Sequence, residues 1–444
     1  MALWQHQVEA AAFIMRWKRA ALWHDTGTGK TQSAIEVADQ VGANCILVLC
    51  PVIALEHWKA QFAKHGRLLR NVTLVRSPDM PLWGANVIVV PFSLISKYPM
   101  LAARLRQHQF DLLVIDEAHA LKTMDSARTQ AIYRIGSDRG GLQDCAPLTV
   151  LLSATLAPNG FPNELYPHLR ALRPDLLGPA IGYDSFVARY CDVKYSRNIE
   201  RVVGAKKTTA PDLKRIMAKF AHRVRKRDVQ KNLPPFLVDT WPVNVADLIV
   251  PDAIKRGWEE SEALLARDVG NATGEDALAI ARSSPHAATN RRLTGVIKVQ
   301  AMAALLEPEV VAGRKVIAFS VHHDVIDAIA ERFKGKCVTL DGRTSATKRQ
   351  ANIKVFREGK KILFNGQISA AGEVIDLTPC SLMYIFEQDW VPKTMIQAIG
   401  RANRPGQVEP LMVWVLTLAG SIDDALTRTL IRKTKDIEAL EPAI

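Results

Sequence analysis

The run "HDTGTGKT" at residues 24–31 sets two glycines, a lysine and a hydroxyl in an order suited to holding phosphate. Gly27 and Gly29, with Thr28 between them, let backbone N–H groups approach phosphate oxygens closely. Lys30 has the reach for the β and γ oxygens of a nucleoside triphosphate, and the Thr31 hydroxyl can sit on magnesium. The strict pattern G-x-x-x-x-G-K-[ST] asks for glycine at position 24, where this chain has histidine. His24 only precedes the turn, so the departure leaves the phosphate-binding reading in place.

Such a loop requires an acidic partner. "LLVIDEAH" (112–119) ends an apolar run at Asp116, whose carboxylate can meet the metal on Thr31, and Glu117 beside it can orient an attacking water. A cationic group closes the chain's later half: in "QAIGRANRPGQ" (397–407), Gln397, Arg401 and Arg404 stand at i, i+4 and i+7. That spacing predicts one face of a helix ended by Pro405, from which two guanidiniums project together to stabilise charge on a transferred phosphoryl group.

Strands and helices must hold these residues in place. Short β-branched runs at 45–51, 86–91, 111–119 and 148–155 read as buried parallel strands, and a second set follows at 315–320, 336–342, 361–366, 382–387 and 411–416. The fold class is therefore α/β, with two parallel sheets and helices packed on their faces. Between the sets, roughly 160–300 is helical in pattern. Its basic run "HRVRKRDVQK" (222–231) reads as a helix that "NLPPF" (232–236) breaks, because proline disfavours helix for itself and its predecessor. The expected domains are 1–235, with a helical insertion at about 160–230, and 236–444, with a helical protrusion at about 240–295.

Composition limits the classes of function. The chain has 444 residues, 48% of them hydrophobic and 23% charged, enough for two or three ordinary cores. No apolar run approaches the roughly 18 residues of a membrane span, and the N-terminus has no signal-peptide pattern, so the expected setting is intracellular and away from membranes. A formal charge of +13 favours a polyanionic partner. The six cysteines form no C-x-x-C pair and read as reduced core thiols. His6, His65, His322 and His323 lack metal-ligand spacing and read as structural or surface residues, and Trp58, Trp83 and Trp390 read as packing residues.

Taken in order, these motifs resemble helicase superfamily 2 over nearly the whole chain. "LWQHQVEAAAF" (3–13) looks like the adenine-recognising segment, with Gln7 as its glutamine; "LSAT" (152–155) resembles the motif coupling hydrolysis to lobe movement. "LCPVIALEHWKAQF" (49–62) and "VVPFSLI" (89–95) look like strand-end motifs that touch the nucleic-acid backbone. Within the superfamily, "LRPDLLG" (172–178), "FVARYCD" (186–192), "VRKRDVQKNLPP" (224–235) and "FEQDWVPKTMIQAIGRANRPGQ" (386–407) resemble the SWI/SNF-like DNA translocases, nearest their annealing-helicase branch. Two positions depart from that pattern: Ala154 and Val374 stand where glycine is usual.

The resemblance implies two RecA-like lobes, with ATP and magnesium bound between them, Gln7 and Gln397 among the nucleotide contacts, and Arg401 and Arg404 completing the site on closure. It further implies sequence-independent movement on duplex or branched DNA, with fork remodelling, branch migration or strand annealing as outcomes in a bacterial or viral cytoplasm or nucleoid. No protein partner is indicated. Three other readings fit the same residues: an RNA helicase, the motor subunit of a restriction or defence complex, and a non-catalytic nucleic-acid-binding scaffold.

Overall fold

The computed structural model describes residues 3–135, 140–196, 199–229, 234, 236–369, 377–378, 380–389, 392–404 and 407–439. Two compact units divide the chain, Met1–Val229 together with Lys435–Ile444, and Gln230–Thr434. Each is built on a parallel sheet, as the α/β reading expects.

In the first unit the strands are β1 (Arg19–His24), β2 (Ile46–Cys50), β3 (Val72–Leu74), β4 (Val87–Pro91), β5 (Leu112–Asp116) and β6 (Leu148–Ser153). An antiparallel pair follows, β7 (Cys191–Ser196) and β8 (Ile199–Ala205), and then β9 (Ala221–Val224). The sheet runs β3-β4-β2-β5-β6-β1-β9 with every neighbour parallel. Alternate residues feed two separate cores, as the period of two along a strand requires. Ala20, Leu22, Ile46, Val48, Val114 and Val150 pack on one face; Ala21, Trp23, Leu47, Leu49, Leu113 and Leu151 pack on the other. The helices α1 (Gln5–Trp17), α2 (Lys30–Gln40) and α3 (Leu55–His65) supply partners for the first face through residues such as Ile14, Ile35 and Trp58.

The second unit contains β10 (Phe236–Val243), β11 (Val316–Ser320), β12 (Cys337–Leu340), β13 (Leu363–Gln367), β14 (Leu382–Ile385) and β15 (Leu411–Leu418). Their order is β10-β15-β14-β11-β13-β12, again parallel throughout. Three helices, Asp252–Val269, Gly274–Ser283 and Ala287–Val299, fill most of the region expected to protrude, and Leu265, Leu278 and Ala281 pack with Leu426 and Leu430 of the helix Ile422–Ala439.

The structure corrects the sequence reading of the basic run. Residues 221–224 form the edge strand β9 rather than a helix, and only Lys226–Val229 make a helical turn. Backbone pairing with β1 wins because Ala221 and Val224 are buried. The region around it is mixed, since β7 and β8 also lie in it. β1, β3 and β10 complete the strands that the apolar runs did not announce. Of the cysteines, Cys50, Cys145, Cys191 and Cys380 are buried and all six are free thiols. Among the described residues no helix is long and apolar enough to cross a membrane.

Two buried histidines of the first unit make its stability depend on pH. His168, whose Nδ1 lies 3.0 Å from the Tyr133 hydroxyl, is pushed by burial down to about 3, and burial, with His222 next, holds His24 well below the ordinary histidine range. Because the folded pKa lies below the unfolded value, the neutral histidine's contribution is full above about pH 6.5 and is lost as pH falls toward the folded pKa. Each such group then costs about 1.4 kcal/mol per pH unit. Thermal unfolding followed from pH 7.5 to 5 should show the melting temperature dropping by several degrees; a flat profile would mean that these rings are solvated.

Candidate nucleotide site

β1 ends at His24 and α2 begins at Lys30, so the glycine-rich run is a strand-to-helix turn. Gly27 and Gly29 have φ of 85° and 83°, the left-handed region that side chains disfavour. At Gly29 a Cβ would also stand 2.2 Å from the Gln7 Nε2, so any side chain there would displace the Gln7 amide from the loop. The loop is braced from within. Lys30 Nζ donates to the carbonyls of His24 (2.8 Å) and Asp25 (3.1 Å), Thr28 Oγ1 donates to the Asp25 carbonyl (2.8 Å), and the ring Nε2 of His6 lies 2.8 Å from the Thr28 carbonyl. Gln7 is buried against the loop: its amide donates to Gln32 Oε1 (3.2 Å), and its carbonyl oxygen accepts from the Trp4 N–H (2.9 Å).

Asp116 closes β5, and both its oxygens are engaged. Oδ1 accepts from the Glu117 N–H (2.9 Å) and Oδ2 from the Trp58 indole N–H (3.0 Å). Burial first, then the Glu117 carboxylate, pushes Asp116 up to about 6, while the Trp58 bond and the Lys30 ammonium pull the other way. The glycine-rich loop and the acidic strand end are thus neighbours. Glu117 takes a left-handed backbone, φ 49°, and its Oε2 lies 3.1 Å from His119 Nδ1. His119 Nδ1 is in turn 3.4 Å from Ser153 Oγ, which also bonds the Thr155 carbonyl, so "DEAH" and "LSAT" share one hydrogen-bond path. Thr31 follows Lys30 at the start of α2 and Asp116 closes β5, and both carry hard oxygens of the kind magnesium takes.

In the second unit, the helix Pro392–Ala402 carries Gln397 and Arg401. Arg404 lies two residues past its end, with Nε donating to the Gly400 carbonyl (3.1 Å), so the expected continuous face i, i+4, i+7 is broken. Proline at 405 is the cause, since its predecessor is disfavoured in helix. Arg401 is 6% exposed and Arg404 half-buried, and the Arg401 carbonyl accepts from Leu377 N (3.0 Å). Pro405, Val374 and Trp390 lie outside the described residues.

Of the described residues read as structural or packing, only Trp83 departs from that reading. Trp58 is fully buried, as a packing residue should be, but its only polar atom bonds Asp116; a tryptophan eight residues after the strand end "LC" carried no sign of this in the sequence. Trp83 is 81% exposed and packs into no core. His322 is tied to Glu387 (2.6 Å), His323 lies 3.5 Å from Asp341, and His6 braces the loop.

Two parallel α/β lobes, with a glycine-rich strand-to-helix turn set against an acidic strand end, define the class of two-lobed P-loop proteins. Residues 6–247 match the model of the SNF2-related domain and residues 297–406 that of the helicase conserved C-terminal domain. The first match alone spans more than half of the 444 residues, and the chain belongs to the SNF2-related family. Similar proteins include the SWI/SNF-related matrix-associated actin-dependent regulator of chromatin subfamily A-like protein 1 of Drosophila melanogaster. It is 26% identical over 441 residues, covering 96% of this chain and 54% of the fly protein. A Caenorhabditis elegans homolog is 27% identical, covering 96% and 60%. This chain thus spans little more than half the length of these relatives. Among solved structures, the Sulfolobus solfataricus SWI2/SNF2 ATPase core in complex with dsDNA aligns over 100% of this chain and 98% of that one, at 18% identity and a TM-score of 0.45.

Proposed function

We propose that this protein is a nucleic-acid-stimulated ATPase that converts hydrolysis into movement on duplex or branched DNA. The observation that carries the reading is the joint placement of Lys30, Asp116 and Glu117 in a chain of the SNF2-related family. Gln7 and Gln397 contact the nucleotide, and Gly27, Thr28, Gly29 and Lys30 hold its phosphates. Thr31 and Asp116 hold magnesium, Glu117 orients water, and Arg401 and Arg404 stabilise charge on the transferred phosphoryl group. Magnesium, when bound, neutralises charge on the phosphate oxygens. A net charge of +13 and relatives named as regulators of chromatin support DNA as the polyanion. Fork remodelling, branch migration and strand annealing are the outcomes that such movement would serve.

ATPase rates on duplex, forked, four-way and single-stranded DNA and on structured RNA, at one fixed salt concentration, test the substrate class. Duplex-containing DNA, branched DNA above all, should stimulate most. Stimulation by RNA alone would move the protein to the RNA helicases, and binding without stimulated hydrolysis would leave a scaffold.

Trp58 enters the same proposal as a positioning residue for Asp116. Trp58→Phe keeps the ring and removes the donor, and should weaken magnesium binding in the presence of nucleotide by about tenfold or more, the usual effect of losing a ligand's hydrogen-bond partner. Manganese binding followed by electron paramagnetic resonance reads this directly. Unchanged metal affinity in a normally folded variant would reduce Trp58 to packing.

A further inference from the structure

The basic run ahead of the second unit packs against the phosphate loop. β9 is parallel to β1 with His24 opposite Val224, and the Asp25 N–H donates to the Val224 carbonyl (3.0 Å), carrying the ladder one residue into the loop. The Asp25 carboxylate is held from two sides: Arg223 pairs with Oδ1 at 2.7 Å and the Lys226 N–H donates to Oδ2 at 2.9 Å. The Arg223 side chain is only 6% exposed, and its guanidinium also donates to the Trp23 (3.1 Å) and Val224 (2.7 Å) carbonyls. The other end of Asp25, its carbonyl, receives Lys30 Nζ and Thr28 Oγ1. Asp25 therefore joins the phosphate lysine to the strap 223–226. The Lys226 ammonium lies 3.9 Å from the place a Cβ on Gly27 would take.

We propose that Arg223 is a positioning residue of the nucleotide site: by pairing with Asp25 it fixes the entrance of the phosphate loop and cancels a carboxylate that would otherwise repel the triphosphate. The inference rests on the ATP-site reading above. Its electrostatic part has a definite sign. A lone carboxylate beside a polyphosphate, partly shielded from water, lowers affinity by roughly tenfold, and the loss grows with the charge of the ligand. Triphosphate binding should therefore suffer more than diphosphate binding. The strap also lies just ahead of Val229, where the chain passes from the first unit to the second at Gln230.

Fluorescent ATP and ADP analogues, titrated into the full chain, test the proposal. Arg223→Met should weaken triphosphate binding about tenfold and diphosphate binding by about threefold or less. Asp25→Asn added to Arg223→Met should return triphosphate affinity to within about threefold of wild type, because the unpaired charge is gone. Arg223→Lys, which retains the charge without the guanidinium fork, should bind triphosphate more tightly than Arg223→Met and more weakly than wild type. A double variant as weak as Arg223→Met, or a lysine variant as weak as methionine, overturns the charge-cancelling role. Lys30→Ala is the control for the underlying reading. If it binds nucleotide normally the site itself is wrong, whereas loss there with no effect at Arg223 refutes the inference alone.

Discussion

Glu117→Gln should bind ATP as wild type does and turn it over on the order of 10³-fold more slowly. The substitution is nearly isosteric, so the left-handed backbone at 117 and the packing of the "DEAH" turn survive, while the carboxylate that would draw a proton from water becomes a neutral amide. The neighbouring charge goes too: Glu117 is the second cause of the raised Asp116 pKa, so the amide leaves Asp116 easier to ionise and the metal side of the site intact. Lys30→Ala should fail differently. Its ammonium spans the carbonyls of His24 and Asp25 inside the loop, and truncation removes both that brace and the phosphate cation, so binding itself weakens. Nucleotide affinity measured beside single-turnover hydrolysis separates the two. Wild-type turnover in Glu117→Gln would withdraw its assignment.

Arg404→Ala should leave nucleotide affinity of the first unit unchanged and cut DNA-stimulated hydrolysis by about 10³-fold or more, the range for an arginine finger. Arg404 is the cleaner probe of the two arginines. It lies beyond the helix Pro392–Ala402, half-buried, whereas Arg401 is almost fully buried inside that helix, so Arg401→Ala carries a folding cost in addition to any loss of chemistry. Binding by a fluorescent nucleotide and steady-state hydrolysis with saturating duplex DNA decide the matter. Normal hydrolysis in both variants would remove the second lobe from the chemistry.

The sequence made the two sheets readable because their central strands are buried on both faces and show as continuous β-branched runs, such as "VIVV" and "LLVI". It hid the edges. β9 carries His222 and Arg223 among its four residues, a composition that reads as a solvated helix until β1 is seen beside it. β1 itself, "RAALWH", is short and ends in a histidine, yet it leads into the glycine-rich turn. In the proposed site, the residues with a local pattern could be picked out as candidates from their spacing: Gly27, Gly29, Lys30, Thr31, Asp116 and Glu117. The residues acting through tertiary contact were not. Trp58 reaches Asp116 across 58 positions, and Arg223 reaches Asp25 across nearly the whole first unit. Arg404 shows a third kind of loss, where helical periodicity was extended one step too far toward a proline whose predecessor resists helix.

Displacement of a third strand from a DNA triplex tests most directly whether hydrolysis is spent on movement along a duplex. A short oligonucleotide lies in the major groove downstream of a duplex loading site, and its release is timed with and without ATP. Release should require ATP hydrolysis, be absent with Glu117→Gln, lengthen with the distance from the loading site, and proceed without separation of the two duplex strands. ATP-independent release, or vigorous duplex-stimulated hydrolysis with the third strand left in place, would show that this SNF2-related chain does not translocate.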